Sequence, residues 1–472
     1  MPRFRRLALG LALGLPLFPV AAQADGLPDT KWGGGDGILT VVFDPAPAAS
    51  GRTTAGLVDA VGRYVAAGSY RTPGVPGGRA FVLRMLPNGQ RDGNFGGGDG
   101  LVLFDTPAGY RDYTPERILE LEDGSLLLAG QLDPDVDGGV PRLVRVCKLN
   151  PASIPDPGFG AGGCANHALG SPFGAFYRDM TVDAAGRVLL YGRAMTDGSG
   201  TAFEVAVARL KPDGTGDTCF GPAACPNTGV FTEASVPWNT DVPTSIAVLP
   251  NGRIVYGGRH SSNPGSSLAV VALTGGGALD LAFGDAGRTV VPREIGGYTL
   301  SLANDFAPLP DNSLLVIGEA RYNANGDDFG TLVRLDPNGN PAAGFATGGR
   351  RDFFWNDVSL NNTAAAIAAL PDGRFLVAGT SRAGLSPKQD NFAVGRFFAD
   401  GSTDFEFAYN GSISLDGDRL GNEEVPDAAV AIGVTPEYVV VIGSSGNAAD
   451  GQRPWPVFVR LERKGLFRDG FE

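Results

Sequence analysis

Short apolar segments alternate with polar, glycine-rich turns along this chain, and one apolar segment recurs at a regular spacing. It ends in glycine each time, as in GSLLLAG and GRFLVAG. Seven glycines close these segments, roughly 62 residues apart: Gly68, Gly130, Gly192, Gly258, Gly318, Gly379 and Gly443. A fixed period of this length is typical of a repeat array, in which each unit forms one supersecondary element.

Each repeat has the pattern of four β-strands. In the second unit, residues 115–124 alternate between apolar and polar, residues 125–132 are almost continuously apolar, and residues 141–149 alternate again. A turn then leads to a short fourth segment. Segments of this length with Asp-Gly and Pro-Asn-Gly turns between them predict strands, and no segment has a helical stripe. The chain contains 71 glycines and 35 prolines, which also favours turns over helices.

Two further phrases recur near the end of each unit. The third strand carries a basic residue in six units and Ala272 in the other; the basic residues are Arg84, Lys148, Arg209, Arg334, Arg396 and Arg460. An Asp-x-x-aromatic phrase also recurs, at Asp29/Trp32, Asp92/Phe95, Asp156/Phe159, Asp217/Phe220, Asp280/Phe283 and Asp404/Phe407, with Ala342/Phe345 as a degenerate copy. We predict a structural role, because a ligand site would not need the phrase in nearly every repeat. The aromatic would fill the gap between sheets, the Asp would cap the turn, and the basic residue would pair with the Asp.

The count of phrases predicts an all-β, seven-bladed β-propeller of four-stranded antiparallel blades. Residues 29–43 form the end of a repeat without its beginning, and residues 454–465 form a repeat that lacks its fourth strand. An isolated four-stranded sheet would leave two edges open and bury little surface. We therefore expect residues 37–43 to pair with the last blade as its outer strand and to close the ring.

The phrases PDGRFLVAG, LVRLDPNG and DTCFG resemble the delta-60 repeat family of bacterial exported proteins. The resemblance covers residues 29–465. It implies a propeller architecture, and it implies no defined biochemical activity.

The first residues are typical of a secretory signal peptide. Arg3, Arg5 and Arg6 precede an apolar stretch at 7–20, and an A-x-A cleavage signal ends at Ala24. No later segment has eighteen consecutive apolar residues, so we expect no membrane insertion. The predicted location is secreted, periplasmic or cell-surface. The predicted divisions are a signal peptide at 1–24, a propeller at 25–465 and a short tail at 466–472.

The charge balance limits the partners. The whole chain has 38 basic and 51 acidic residues, and removing a leader with three arginines leaves 35 against 51, a net charge of −16. Nucleic acid and anionic membranes need basic clusters, so we expect neither as a partner.

Four cysteines in an exported chain predict disulfides. Cys219 and Cys225 flank a five-residue loop that a bridge can close easily, which leaves Cys147 to pair with Cys164. Cys164 and Cys225 occupy equivalent places in neighbouring repeats, so a 164–225 bridge is the alternative. The only two histidines show no metal-ligand spacing with these cysteines.

Candidate ligand-binding residues lie where each fourth strand leads to the next inner strand, since propellers bind ligands around their central channel. The aromatic candidates are Tyr113, Tyr177, Trp238, Tyr298 and Trp355, and the charged candidates are Glu116, Arg178, Asp179 and Asp305. Aromatic faces beside polar groups suit sugar rings or extended peptides. In the alternative interpretation, the aromatics pack loops against the blades and the charges line a water-filled channel.

One acidic loop has the start of a calcium motif. Asp133, Asp135 and Asp137 with Gly138 form D-x-D-x-D-G, whose alternating oxygen ligands suit a hard cation. The twelfth position, where the motif has a glutamate, is Val144. The alternatives are a calcium site and a solvated hairpin tip; no other cofactor is expected.

These observations predict an exported, monomeric and non-enzymatic propeller that binds a protein, peptide or glycan through loops around its channel. No residue is assigned a catalytic role. The alternative is a secreted polysaccharide hydrolase or lyase that uses Glu116, Asp179 and Asp305 at the channel mouth.

Overall fold

The structure is a computed structural model. It describes residues 25–46, 48–75, 77–135, 139–234, 240–262, 265–291, 294–295, 298–322, 328–355, 362–383, 389–417, 427–446 and 453–463. The predicted signal peptide and the tail at 466–472 lie outside these residues. Every regular element within them is a β-strand, and none of them forms a helix that is long and apolar enough to cross a membrane.

The strands form seven sheets, which we call blades 1 to 7 in chain order. Strand β1 (Ile38–Thr40) comes first and belongs to blade 7. Blade 1 has β2 (Ser50–Val58), β3 (Tyr64–Arg71), β4 (Arg79–Met85) and β5 (Leu101–Phe104). Blade 2 has β6 (Tyr110–Glu120), β7 (Leu126–Pro134), β8 (Leu143–Leu149) and β9 (Cys164–His167). Blade 3 has β10 (Ala175–Val182), β11 (Val188–Met195), β12 (Phe203–Leu210) and β13 (Val230–Ala234).

The remaining blades follow the same order. Blade 4 has β14 (Thr240–Val248), β15 (Ile254–Ser262), β16 (Gly265–Leu273) and β17 (Arg288–Val290). Blade 5 has an extra short strand, β18 (Glu294–Ile295), before β19 (Tyr298–Pro308), β20 (Leu314–Tyr322), β21 (Asp328–Leu335) and β22 (Arg350–Phe353). Blade 6 has β23 (Asn362–Ala369), β24 (Phe375–Ala383), β25 (Gln389–Phe397) and β26 (Ser412–Leu415). Blade 7 has β27 (Ala428–Val434), β28 (Tyr438–Ser445), β29 (Trp455–Glu462) and β1.

The blades form a closed ring, as predicted. The inner strand of each blade contacts the inner strand of the next, and β27 of blade 7 contacts β2 of blade 1. The N-terminal strand completes blade 7, because β1 pairs antiparallel with β29 and places Ile38 opposite Val459. The seven-bladed propeller and its closure by the N-terminal strand are therefore confirmed.

The core lies between the blades. Among the described residues, seven buried apolar clusters each join two neighbouring blades around the whole ring. Val65 of blade 1 and Leu128 of blade 2, for example, belong to the same cluster. A middle strand therefore buries side chains on both faces, which explains its continuous apolar runs.

The Asp-x-x-aromatic phrase has the predicted structural role. In blade 1, Arg84 Nε lies 2.8 Å from Asp92 Oδ2, and the Asn94 backbone N–H donates to Asp92 Oδ1 at 2.9 Å. The Arg84 guanidinium carbon lies 4.3 Å from the ring centre of the fully buried Phe95. In blade 2, Lys148 replaces the arginine and lies 3.0 Å from Asp156.

These aromatic rings also fill the gaps between blades. Phe159 of blade 2 packs on the third-strand turn of blade 3, where a Cβ at Gly214 would lie 3.1 Å from its ring. Phe283 of blade 4 packs in the same way on Gly339 of blade 5, at 2.7 Å. The phrase therefore joins each sheet to its neighbour, and a ligand role is not needed to explain its recurrence.

Both predicted disulfides are present. Cys147 on β8 and Cys164 on β9 are directly opposed and bonded, and Cys219 is bonded to Cys225. The alternative bridge between Cys164 and Cys225 does not form.

Candidate functional site: a charged pocket beside the central channel

Every inner strand carries a β-bulge at the same repeat position. The bulged residues are Thr54, Glu116, Arg178, Thr244, Asn304, Ala365 and Val430. The residue before each bulge pairs with the glycine that defines the repeat; Tyr177, for example, pairs with Gly192. A Cβ at Gly192 would lie 2.0 Å from the Phe176 carbonyl oxygen. The backbone of the adjacent bulged strand therefore leaves no room for a side chain at Gly192. The repeat glycine is thus a consequence of the bulge.

Three of the bulged side chains join neighbouring blades around the channel. Arg178 Nε donates to the Pro243 carbonyl at 3.0 Å, and Asn304 Nδ2 donates to the Ala364 carbonyl at 2.8 Å. Thr54 donates to the Pro115 carbonyl in the same way. In each case the acceptor is the residue just before the bulge of the next blade.

Two of the predicted site carboxylates are part of this inter-blade bonding. Asp179 Oδ2 accepts hydrogen bonds from the Ser245 hydroxyl and the Ile246 N–H, both at 2.9 Å. Asp305 Oδ2 accepts one from the Ile367 N–H at 3.2 Å. Only 4% of the Asp179 surface and 9% of the Asp305 surface are exposed. Both carboxylates therefore stabilise blade contacts and offer little surface to a ligand.

Arg117, which follows the bulge of blade 2, holds these two carboxylates together. Its Nε lies 3.3 Å from Asp179 of blade 3, and its Nη1 lies 3.7 Å from Asp305 of blade 5. The carboxylate of Asp179 raises the pKa of Arg117 further above its usual value. Burial raises the pKa of Asp305 to about 6, against the lowering effect of Arg117. The guanidinium thus links three blades across the channel.

Glu116 is the predicted carboxylate that remains accessible. It lines a pocket of about 310 Å³, and 29% of its side-chain surface is exposed. Burial raises the pKa of Glu116 to about 7; Arg178 opposes this shift, while Asp179 and Asp133 reinforce it. Arg178 Nη1 lies 3.5 Å from Glu116 Oε2. Glu116 therefore titrates near neutrality in contact with solvent.

The pocket lies between blades 2 and 3, at the end of the ring where the inner strands begin. It is lined by Thr114, Glu116, Gln131, Asp133, Arg142, Phe176, Tyr177, Arg178, Arg193 and Pro243. Inner strands of three consecutive blades contribute to this lining, so the pocket adjoins the central channel. Three guanidinium groups and two carboxylates meet in it.

Two of these arginines pack on one aromatic ring. The guanidinium carbon of Arg142 lies 4.4 Å from the ring centre of Phe176, and that of Arg193 lies 5.5 Å from it. Arg193 also lies 4.7 Å from the ring centre of Phe203, and Arg142 Nε donates to Asp133 Oδ1 at 2.6 Å. These contacts fix the direction of both side chains.

The side chain of Gln131, at the floor of the pocket, is hydrogen-bonded to the protein backbone. Gln131 Nε2 donates to the carbonyls of Leu143 and Ala175 at 2.9 Å and 3.1 Å. Its Oε1 accepts from the Tyr177 N–H at 2.7 Å. Gln131 thereby fastens blade 2 to blade 3, and both of its amide hydrogens are used in doing so.

The predicted aromatic residues do not form an exposed ring around the channel. Tyr113 and Tyr177 were expected in loops, but they lie within strands β6 and β10 and are 0% and 4% exposed. Trp355 is 1% exposed and packs edge-on against Phe353. The loop location is therefore wrong for Tyr113 and Tyr177, because their inner strands begin several residues earlier than the sequence pattern indicates. Trp355 follows β22 and lies outside the strands, as expected, but it is buried there. Tyr298 lies in β19, where only its backbone is described, and Trp238 lies outside the described residues.

The calcium motif is only partly visible. The Asp133 side chain forms an ion pair with Arg142, and Asp135 is exposed. Asp137 and Gly138 lie outside the described residues. No group of three or more potential metal ligands occurs within the part of the chain that is described. The calcium site stays a prediction.

Three residues of the pocket were not predicted from the sequence, Arg142, Arg193 and Phe176, and neither was Arg117, which binds Asp179 and Asp305. Arg142 directly precedes β8 and Arg193 lies on β11, both far in sequence from Glu116, so no local motif joins them. The one available signal was the repeat glycine, since an invariant glycine within an apolar strand indicates a bulge in the adjacent strand.

The comparison with a family model agrees with the propeller fold. Residues 309–345 match the model of a family described as a domain of unknown function (DUF5122) beta-propeller. The search of curated proteins finds no match. The crystal structure of the polysaccharide lyase Uly1 is similar, with a TM-score of 0.47 and 11% identity over 94% of this chain and 98% of that chain.

Two other solved structures are similar over most of their length. An α-L-arabinofuranosidase, Arb93A from Fusarium graminearum, has a TM-score of 0.44 and 13% identity, over 76% of this chain and 96% of that chain. A protein of unknown function from Dyadobacter fermentans has a TM-score of 0.42 and 14% identity, over 74% and 93%. Similarity at this level says nothing about the ligand of this chain.

Proposed function

We propose that this protein is an exported, non-enzymatic β-propeller that binds a partner in the pocket between blades 2 and 3. The observation that carries the proposal is the convergence of five charged side chains on one open pocket beside the channel: Glu116, Asp133, Arg142, Arg178 and Arg193. Ligand sites of this kind are concave and have a few directed polar groups. Partners with many phosphates do not fit the acidic charge of the chain.

Export is the second part of the proposal. It is supported by the leader-like sequence of residues 1–24 and by the two disulfides, because disulfides persist in oxidising compartments. The delta-60 resemblance is consistent with the same location. The proposed partner is a protein, peptide or glycan, and the proposed state of the protein is monomeric.

A glycan and peptide array with the purified mature protein tests the binding function. The variant Thr114→Trp places a large ring in the pocket, so it should abolish capture of any ligand that enters, whatever the chemistry of that ligand. Arg79→Gln is the control, because Arg79 forms an exposed pair with Asp105 outside the pocket lining. Undiminished capture by a folded Thr114→Trp variant would place the ligand site elsewhere.

A secreted hydrolase or lyase is the second candidate, and Glu116 is the observation that favours it. A carboxyl group with a pKa of about 7 can donate and accept protons near neutrality. The two other predicted carboxylates favour this candidate less, because their oxygens already accept backbone hydrogen bonds from the next blade. Release of reducing ends or of unsaturated sugars from a polysaccharide panel, lost in Glu116→Gln, would establish catalysis.

A further inference from the structure

We propose that the ligand of this pocket is an acidic sugar whose carboxylate is bound by Arg142, Arg178 and Arg193. This inference rests on the binding function proposed above and adds the chemical class of the ligand. The three arginines line one pocket in a chain whose acidic residues outnumber its basic ones, 51 to 38. A local excess of guanidinium groups on an acidic protein favours an anionic ligand group.

The arginines are held in place before a ligand arrives. Arg178 is anchored through Nε to the Pro243 carbonyl, and Arg142 through Nε to Asp133. Arg193 is held between the rings of Phe176 and Phe203. Anchoring through Nε leaves the terminal amines of Arg142 and Arg178 directed at a planar carboxylate, and Arg193 adds its positive charge to the same pocket. Such preorganisation reduces the entropy lost on binding.

The pair between Arg178 and Glu116 is loose enough for a ligand to replace. The 3.5 Å separation of Arg178 Nη1 and Glu116 Oε2 exceeds the roughly 2.8 Å of a strong charge-assisted hydrogen bond. Glu116 also faces Asp179 and Asp133, and this repulsion and its burial favour its protonated form near neutral pH. A protonated Glu116 no longer competes for Arg178, so the guanidinium is available to an incoming carboxylate.

The remaining polar groups favour a sugar over an acidic peptide. Asp133 is a hydrogen-bond acceptor, the Glu116 carboxyl keeps an acceptor oxygen in either protonation state, and the Thr114 hydroxyl both donates and accepts. Both amide hydrogens of Gln131 are already used. A ligand therefore has to bring an anion for the arginines and hydroxyl donors for the carboxylates on the same small unit. A uronate residue has both, whereas an aspartate or glutamate side chain has no hydroxyl donor.

Isothermal titration of the mature protein with defined probes tests the inference. The probes are short oligomers of galacturonate, glucuronate and mannuronate, their neutral hexose counterparts, and an oligoglutamate peptide. We expect at least one uronate oligomer to bind at least tenfold more tightly than its neutral counterpart and than the peptide. Its affinity should fall with added salt and should rise as the pH is lowered from about 8 to about 6.

Variants assign the binding to the arginines. Arg178→Gln and Arg193→Gln should each weaken uronate binding about tenfold or more, because each removes charge-assisted hydrogen bonds. Arg79→Gln is the matched control and should bind as the unchanged protein does. Because Arg193 packs on two rings, Arg193→Lys is included as a variant that keeps the charge and loses the fork. Circular dichroism spectra and melting curves show that each variant is folded.

The outcomes separate this inference from the proposed function. Equal affinity for neutral and acidic sugars, preference for the peptide, or no uronate binding at millimolar concentration would each overturn the acidic-sugar inference. If Thr114→Trp still abolished binding of the ligand found on the array, the proposed binding function would stand. Uronate binding that survives both Thr114→Trp and Arg178→Gln would contradict the site itself, and both proposals would fail.

Discussion

Arg253 Nε donates to Asp280 Oδ2 at 2.7 Å, in the one blade whose third strand lacks a basic residue. Ala272 occupies the usual position of that residue, and Arg253 reaches the same carboxylate from the turn between the first two strands. Its guanidinium carbon also lies 5.3 Å from the ring centre of Phe283. Blade 4 thus rebuilds the contact from a different place in the sequence.

The substitution Arg253→Met should destabilise the protein about as much as Arg209→Met does in blade 3. Each removes the nearest cation of a largely buried aspartate, and we expect each to lower the free energy of unfolding by about 2 kcal/mol. Thermal melting of the two variants measures this. Arg79→Met, in an exposed ion pair, should change the free energy of unfolding by less than about 0.5 kcal/mol. A melting temperature of Arg253→Met equal to that of the unchanged protein would show that the replacement contact contributes nothing.

The repeat glycine should tolerate no side chain. In Gly192→Ala the new Cβ would lie 2.0 Å from a backbone oxygen, and backbone cannot move aside cheaply. We expect a loss of about 3 kcal/mol in stability or failure to fold. Gly216→Ala is the matched control, because nothing lies within 4 Å of its Cβ position. If urea unfolding gave both variants the same midpoint, the bulge would not be the reason for the glycine.

Glu116 should make the stability depend on pH. Its pKa of about 7 in the folded protein lies above its ordinary value of 4.5, so the folded state binds this proton more tightly than the unfolded state. The contribution of Glu116 to stability is therefore greatest below about pH 4.5 and is lost as the pH rises through about 7. The charged groups that face it are Arg178, Asp179 and Asp133.

The variant Glu116→Gln should remove this dependence. Its melting temperature, relative to that of the unchanged protein, should increase between about pH 5 and about pH 8. Glu122→Gln, at an exposed position in a turn, serves as the control and should give a profile parallel to that of the unchanged protein. A constant difference between Glu116→Gln and the unchanged protein at every pH would contradict the raised pKa.

The two disulfides should contribute unequally. The Cys147–Cys164 bridge closes a loop of 17 residues and the Cys219–Cys225 bridge closes one of 6. The loop-entropy relation gives about 3 kcal/mol for the first and about 2 kcal/mol for the second. The double variant Cys147→Ala/Cys164→Ala should therefore melt at a lower temperature than Cys219→Ala/Cys225→Ala. The reverse order would show that the unfolded chain does not set the effect.

The sequence predicts the structural features that the repeats share, because a contact that recurs from blade to blade places the same residue types at the same repeat positions. The Arg–Asp–aromatic contact, the four-strand unit and the ring closure all follow from recurring phrases such as Asp92/Phe95. The charged residues of the pocket, in contrast, do not recur from blade to blade. Glu116, Arg142 and Arg193 come from separate segments of two blades, and only the packing of those blades brings them together.

The predicted loop location of Tyr113 was wrong for a related reason. Residues 115–124 show the clearest alternation, yet β6 begins at Tyr110, and the five additional residues include Tyr113. The bulge after Pro115 shifts the register, so the residues before it do not continue the alternation that follows it. A buried tyrosine consequently has the sequence context of an exposed loop residue.

The pairing of β1 with β29 has a consequence for how the molecule is made. Ile38 emerges from the ribosome early, but its partner Val459 belongs to the last strand to be synthesised. Contacts of such high sequence separation form slowly, since a long loop has to be closed first. Until the ring closes, the row of blades has a strand edge without a hydrogen-bonded partner at each end. All seven units therefore have to be present before the ring can close.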